Sequence, residues 1–100
     1  MPKYLPEVSY LPEGAKGILN DGGSKRHQVV EATIKAHGGK LEAFYFAFGK
    51  NDAYLIVDVP DHVSVAATNL TVNASGAARI RTTVLLTPEE IDQASNKSIT

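Results

Sequence analysis

Residues 41–59 read LEAFYFAFGKNDAYLIVDV, and this stretch decides the fold. Two runs of aromatic and branched residues, 41–48 and 53–59, flank Gly49-Lys50-Asn51-Asp52, a cluster of turn-forming residues. Strand-favouring side chains on both sides of a short polar loop predict a β-hairpin. With the turn centred between Lys50 and Asn51, Phe48 faces Ala53, Phe46 faces Leu55 and Phe44 faces Val57. Side chains alternate along a strand, so these six share one side, and that side is uniformly apolar. It is expected to lie beneath helices. The opposite side carries Ala43, Tyr45, Ala47, Tyr54, Ile56 and Asp58.

Upstream of the hairpin, residues 4–11 form a strand that stops at Pro12. Pro6 lacks a ladder donor and marks either the strand's start or an irregularity in it. Pro12-Glu13 opens a helix, with proline preset at the first position and an acid near the positive end of the dipole. This helix stalls at Asn20-Asp21-Gly22-Gly23. Ser24 is the expected N-cap of a second helical stretch, in which Arg26, Val29, Val30, Thr33, Ile34 and His37 recur at helical spacing. Gly38 suits the left-handed position that ends it.

Downstream, Pro60-Asp61 opens a helix whose stripe of Val63, Ala66, Ala67, Leu70 and Ala74 is expected to face the sheet, and Gly76 closes it. Residues 78–86 make a last strand. Thr87-Pro88-Glu89-Glu90 then combines a capping box with proline at the first helical position, so a short helix follows. Residues 1–95 form one domain, and residues 96–100 are expected to be a disordered tail. The order β-α-β-β-α-β is the split arrangement of an α+β, ferredoxin-like domain, a four-stranded antiparallel sheet with both helices on one face.

One hundred residues leave room for one such domain. The 43% of hydrophobic and 21% of charged residues are those of a globular chain. Ten Lys and Arg against eleven Asp and Glu give a net charge of -1, which argues against a nucleic-acid or membrane-surface partner. With no cysteine there is no disulfide, thiolate nucleophile or zinc ribbon. No apolar run approaches the 18 or so residues of a membrane helix, and Met-Pro-Lys-Tyr does not open a signal peptide, so a cytoplasmic location is expected.

The side of the sheet turned away from the helices extends, by parity, to Leu5, Glu7, Ser9 and Leu11 of the first strand and Arg79, Arg81, Thr83 and Leu85 of the last. Eight of the fourteen positions so assigned are apolar or tyrosine, far from the polar face that solvent calls for. A second copy of the chain is expected to cover it, with Tyr45, Tyr54, Ile56 and Leu85 at a two-fold interface, as a homodimer or higher even oligomer. The two sheets would then close a dimeric α/β barrel.

Candidate chemistry is sparse. Arg79 and Arg81 could clamp an anion, or either could simply pair with Glu7 across strands. Tyr10, Tyr45 and Tyr54 offer polar handles on apolar bodies and, with the two arginines, make up a candidate ligand-binding set. Among the three histidines, none pairs at i,i+4 and no HExxH occurs, so no metal site is expected. His37, at a helix C-terminus, is the candidate for proton transfer. Gly22-Gly23-Ser24-Lys25-Arg26 lacks the spacing of a nucleotide-binding loop and reads as a break within a long connection.

The run Gly38-Gly39-Lys40, Phe44-Tyr45, Gly49-Lys50-Asn51-Asp52, Pro60-Asp61, with Pro12-Glu13-Gly14, Arg26, Gly76 and Arg79-Ile80-Arg81-Thr82 around it, resembles the GYD domain family. Asn51 stands where the family's motif has tyrosine. The resemblance implies a dimeric α+β barrel, the superfamily of cofactor-free monooxygenases, muconolactone-isomerase-like proteins and stress-responsive barrel proteins. It carries a fold and no particular reaction, and no cofactor is expected. The expectation for function is a homodimer that binds a small molecule, between sheet and helices or at the dimer seam. A cofactor-independent enzyme of monooxygenase or isomerase type and a purely structural or regulatory assembly module are the alternatives.

Overall fold

Burial alternates from Lys3 to Val8 along Lys3–Tyr10 (β1), with Tyr4, Pro6 and Val8 buried, and this strand lies inside the sheet. The computed structural model describes residues 1–97. After β1 come α1 (Pro12–Asp21), α2 (Gly23–Ala36), β2 (Lys40–Phe46), β3 (Ala53–Asp58), α3 (His62–Ala74), β4 (Ala78–Leu85) and α4 (Pro88–Asn96). The strands form one antiparallel sheet in the order β2-β3-β1-β4, the ferredoxin-like arrangement. Tyr4, Val8, Leu55, Val57 and Ala78 from the sheet and Ile34 from α2 make the core on the helix side. Pro6 pairs with Thr82 of β4, but the pairing of β1 with β3 lapses across Leu5 and Pro6, the irregularity that a missing donor imposes.

The hairpin forms, in a register displaced by two residues. Phe46 faces Ala53 and Phe44 faces Leu55, and a bulge at Glu42 then lets Leu41 face Val57. The cause lies in β1. The Asp52 N–H donates to Val8 O at 2.8 Å, and the Asp52 carboxylate accepts from the Tyr10 N–H at 2.8 Å. Asp52 is thereby bound to β1, β3 starts at Ala53 as expected but β2 ends at Phe46, and the loop widens to residues 47–52, closed by Ala47 N–H on Asp52 O at 2.8 Å. Phe48 is consequently fully exposed in the loop instead of pairing with Ala53. A displacement of two preserves the faces, so the apolar side still meets the helices.

Three local expectations need correction. Ser24 lies inside α2, whose N-cap is Gly22 at φ 84° with no side-chain cap, because the Gly22 N–H already closes α1 on Ile18 O at 2.7 Å. The stripe of α3 faces outward, with Val63 78% and Leu70 71% exposed, while Thr68 is buried and Val65 and Val72 meet the core. Asn69 and Asn73 set that rotation. The Asn73 carboxamide oxygen accepts the N–H of Ile80 at 2.9 Å and that of Asn69 accepts the Thr82 hydroxyl at 3.0 Å, satisfying groups of the edge strand β4. Finally, Asn96 belongs to α4 and Lys97 caps it, while residues 98–100 of the expected tail lie outside the described residues.

Other boundaries form as their residues dictate. Gly38 takes φ 79°, and Gly38 and Gly39 donate to Lys35 O and Ile34 O, closing α2 in a Schellman motif. Asp61 caps α3 through Ser64 N–H at 2.7 Å, a bond that holds its carboxyl below the usual carboxylate range. Thr87 and Glu90 form both halves of the capping box of α4, no residue of which is buried.

Candidate functional site

α2 leans toward β2, where His27 stacks on Phe44 at 5.6 Å, and α3 is drawn toward β4 by its two asparagines. The middle of the sheet is left partly uncovered between them. There the structure has a cavity of about 260 Å³, floored by Val8 and Tyr10 of β1, Leu55 of β3 and Ile80 of β4, and walled by α2 and α3. Ala77 and Ala78 close one end, and this end is set by Gly14 of α1. A Cβ on Gly14 would lie 2.1 Å from Ala77 O and 3.1 Å from Tyr10 Cδ1, so only glycine lets α1 settle there.

The lining is mostly apolar, and its hydroxyls are already engaged. Thr33 donates to Val29 O, Thr68 to Ser64 O, Thr71 to Ala67 O and Ser75 to Val72 O, each bond between 2.6 and 3.1 Å. Two polar groups on the wall remain. The Arg26 guanidinium lies 5.8 Å from the centroid of the Tyr10 ring, over its face. Gly17 of α1 makes room for it, since a Cβ at that position would come to 3.0 Å from Arg26 Nη2. Among the described residues no Asp or Glu lies within ion-pair distance of Arg26, and neither Arg26 nor the Tyr10 hydroxyl has a side-chain hydrogen bond. Burial pushes the Tyr10 phenol above its ordinary value, opposed by the Arg26 charge and reinforced by that of Asp52. At neutral pH it is a hydroxyl donor beside a permanent cation.

Of the candidate ligand-binding residues named from the sequence, Tyr10 alone lines this cavity. Tyr45, Tyr54, Arg79 and Arg81 lie on the opposite face of the sheet, with Ile56 and Leu85. There Tyr45 is 72% exposed, both arginines are exposed, and Tyr54, Ile56 and Leu85 are half-buried. Glu7 sits opposite Arg81 and Tyr54 in the ladders, yet among the described residues it makes no ion pair with either arginine. Asn51 accepts from Ser9 Oγ and donates to the Tyr54 hydroxyl, both at 3.3 Å, so the residue in the place of the family's tyrosine ties the loop to this open face. Asp58 and Glu42 grip Lys3 at 2.9 and 2.6 Å, and these two bonds, Glu42 first, raise the lysine's pKa.

His37 stands away from the cavity. Its Nδ1 lies 2.9 Å from Thr33 O, and because a carbonyl can only accept, Nδ1 carries the proton and the ring closes the end of α2. His62 partners the hydroxyl of the fully buried Tyr4 at 2.9 Å. Among the described residues no group of three metal-ligating side chains comes together. Arg26, set aside from sequence with the run Gly22-Gly23-Ser24-Lys25-Arg26 as a break within a connection, is a cavity residue.

A family model described as GYD domain matches residues 4–95. No curated protein and no solved structure matches the chain.

Proposed function

The chain belongs to the GYD domain family, and from that premise we propose that it is a homodimeric protein that takes a small molecule into the cavity between sheet and helices. The observation that carries this reading is the cavity itself, of about 260 Å³ with two unengaged donors on a mostly apolar wall whose other hydroxyls are bonded to helix carbonyls. Small-molecule sites share that composition, and their volumes begin at about 300 Å³. A module built only for assembly would gain from packing this space, because unfilled apolar volume costs stability. Binding is favoured over catalysis by the titratable side chains on the wall. A permanent cation and a phenol kept neutral are suited to holding charge, and neither is poised to exchange a proton near neutral pH.

The dimer is supported by the open sheet face, where Leu5, Tyr54, Ile56 and Leu85 meet solvent from one side and Tyr45 stands free. The shape of the chain adds to this. It measures 54 × 28 × 22 Å, with a radius of gyration of 15.2 Å. A compact domain of this length has about 13 Å. Among the described residues no helix is long and apolar enough to cross a membrane.

The test is ligand-observed NMR of the purified protein against a library of single-ring compounds, with Val30→Phe as the control that fills the cavity. Compounds should bind the wild type and be lost in the variant. A library with no binders, or binders that Val30→Phe retains, overturns the cavity reading.

A further inference from the structure

The wall of the cavity specifies what kind of molecule it would hold. Its hydroxyl protons are spent on helix carbonyls, and the polar groups left over, Arg26 and Tyr10, both present hydrogens. A ligand that engages them must accept. The Arg26 charge is half-buried between apolar neighbours with no acidic partner among the described residues, and such a charge gains most from a counter-charge brought into the same space. A guanidinium matches a carboxylate through two parallel hydrogen bonds. The wall carries one cation, so one negative charge balances it, and the dianion of a phosphate monoester would leave a charge unmatched in an apolar cavity. Volume sets the rest. A cavity of about 150 Å³ accommodates benzene, so about 260 Å³ holds one substituted ring and little more.

We infer that the ligand is a monocarboxylate carried on a single aromatic or alicyclic ring, its carboxylate held by Arg26 with a hydrogen bond from the Tyr10 hydroxyl and its ring against Phe44, Leu55 and Ile80. This rests on the cavity being a ligand site, as proposed above. Gly17 has a part in it, because a bare backbone at that point lets the guanidinium lie over Tyr10 and face the cavity.

Benzoate, benzamide and phenyl phosphate are matched probes, close in size and differing in charge. Their dissociation constants are measured by protein-observed NMR on the full chain, with shifts of the Val30 and Ala78 amides reporting occupancy of the cavity. Benzoate should bind about tenfold or more tighter than benzamide, and phenyl phosphate should bind more weakly than benzoate. Arg26→Met should remove the preference for acid over amide, weakening benzoate by a much larger factor than benzamide. Tyr10→Phe should weaken benzoate by a smaller factor. Equal binding of benzoate and benzamide to the wild type overturns the carboxylate inference while leaving a cavity that binds rings. Tighter binding of phenyl phosphate overturns the single-charge argument. Failure of all three probes to shift the cavity amides overturns the parent reading together with this one. The wild-type comparison needs no variant, so a poorly folded Arg26→Met would not remove the test.

Discussion

Gly14→Ala places a methyl group where α1 meets the start of β4. In an exposed helix this change would stabilise by about 1 kcal/mol, since alanine has the better helix propensity. Here the new Cβ would lie 2.1 Å from Ala77 O and 3.0 Å from Ala77 C, both backbone atoms that no rotamer change can remove. Relief to an ordinary contact near 3.4 Å requires α1 to withdraw by more than 1 Å. That withdrawal strains the Leu11 N–H bond to Ala77 O, now 2.9 Å, and presses on Tyr10. Overpacking of this kind costs about 1–3 kcal/mol and the hydrogen bond adds about 1. After the gain in propensity the net loss is about 1–3 kcal/mol. For a domain of this size that lowers Tm by about 5–20 °C, measurable by calorimetry or by circular dichroism at 222 nm. Because Ala77 and Tyr10 line the cavity, the affinity for benzoate should fall with it. A variant that melts at or above the wild-type temperature would refute the close approach of α1 to β4 and the position of the cavity's end.

Gly17→Ala should behave in the opposite way, since its Cβ meets only the mobile end of Arg26; Tm should rise by a few degrees while benzoate binds more weakly, and calorimetry with NMR titration checks both. Tyr45→Glu and Ile56→Arg each set a charge on the open sheet face and should shift the protein from dimer to monomer in sedimentation velocity, whereas an unchanged dimer in both would remove that face from the interface. Tyr10 carries a raised phenol pKa in the fold, so its contribution is fully present below pH about 10 and is lost as pH rises through the folded value. Absorbance titration at 295 nm should show a late-ionising component that Tyr10→Phe removes.

The order of elements was legible because each boundary is written in local chemistry. Gly38, the Asp61 cap, the Thr87 capping box and the two hairpin strands act over four or five residues, a range the sequence displays directly. The hairpin register was not legible, and for a related reason. Turn chemistry favours Lys50-Asn51 at the centre, but Asp52 is claimed by Val8 and Tyr10, more than forty residues earlier in the chain, and that tertiary claim outweighs the preference of the turn. In the wider loop Gly49 has no positive φ, and a Cβ on it would meet nothing within 4 Å.

The site was half legible, and the missing half follows from a single misjudged rotation. Counting apolar side chains turns Val63 and Leu70 of α3 inward, toward β1, whereas in the fold both are exposed. In the fold two asparagines bond β4 instead, Asn73 to the Ile80 N–H and Asn69 to the Thr82 hydroxyl, and the two aliphatic side chains face water. With α3 held against β4, Thr68, Thr71 and Ser75 line the gap beside Val72, in place of Val63 and Leu70. Their protons then go to their own helix, so polarity toward a ligand falls to Arg26 and Tyr10. The polar bonds that defeat hydrophobic patterning on α3 are therefore also what keep the cavity open, and they leave one cation on its wall.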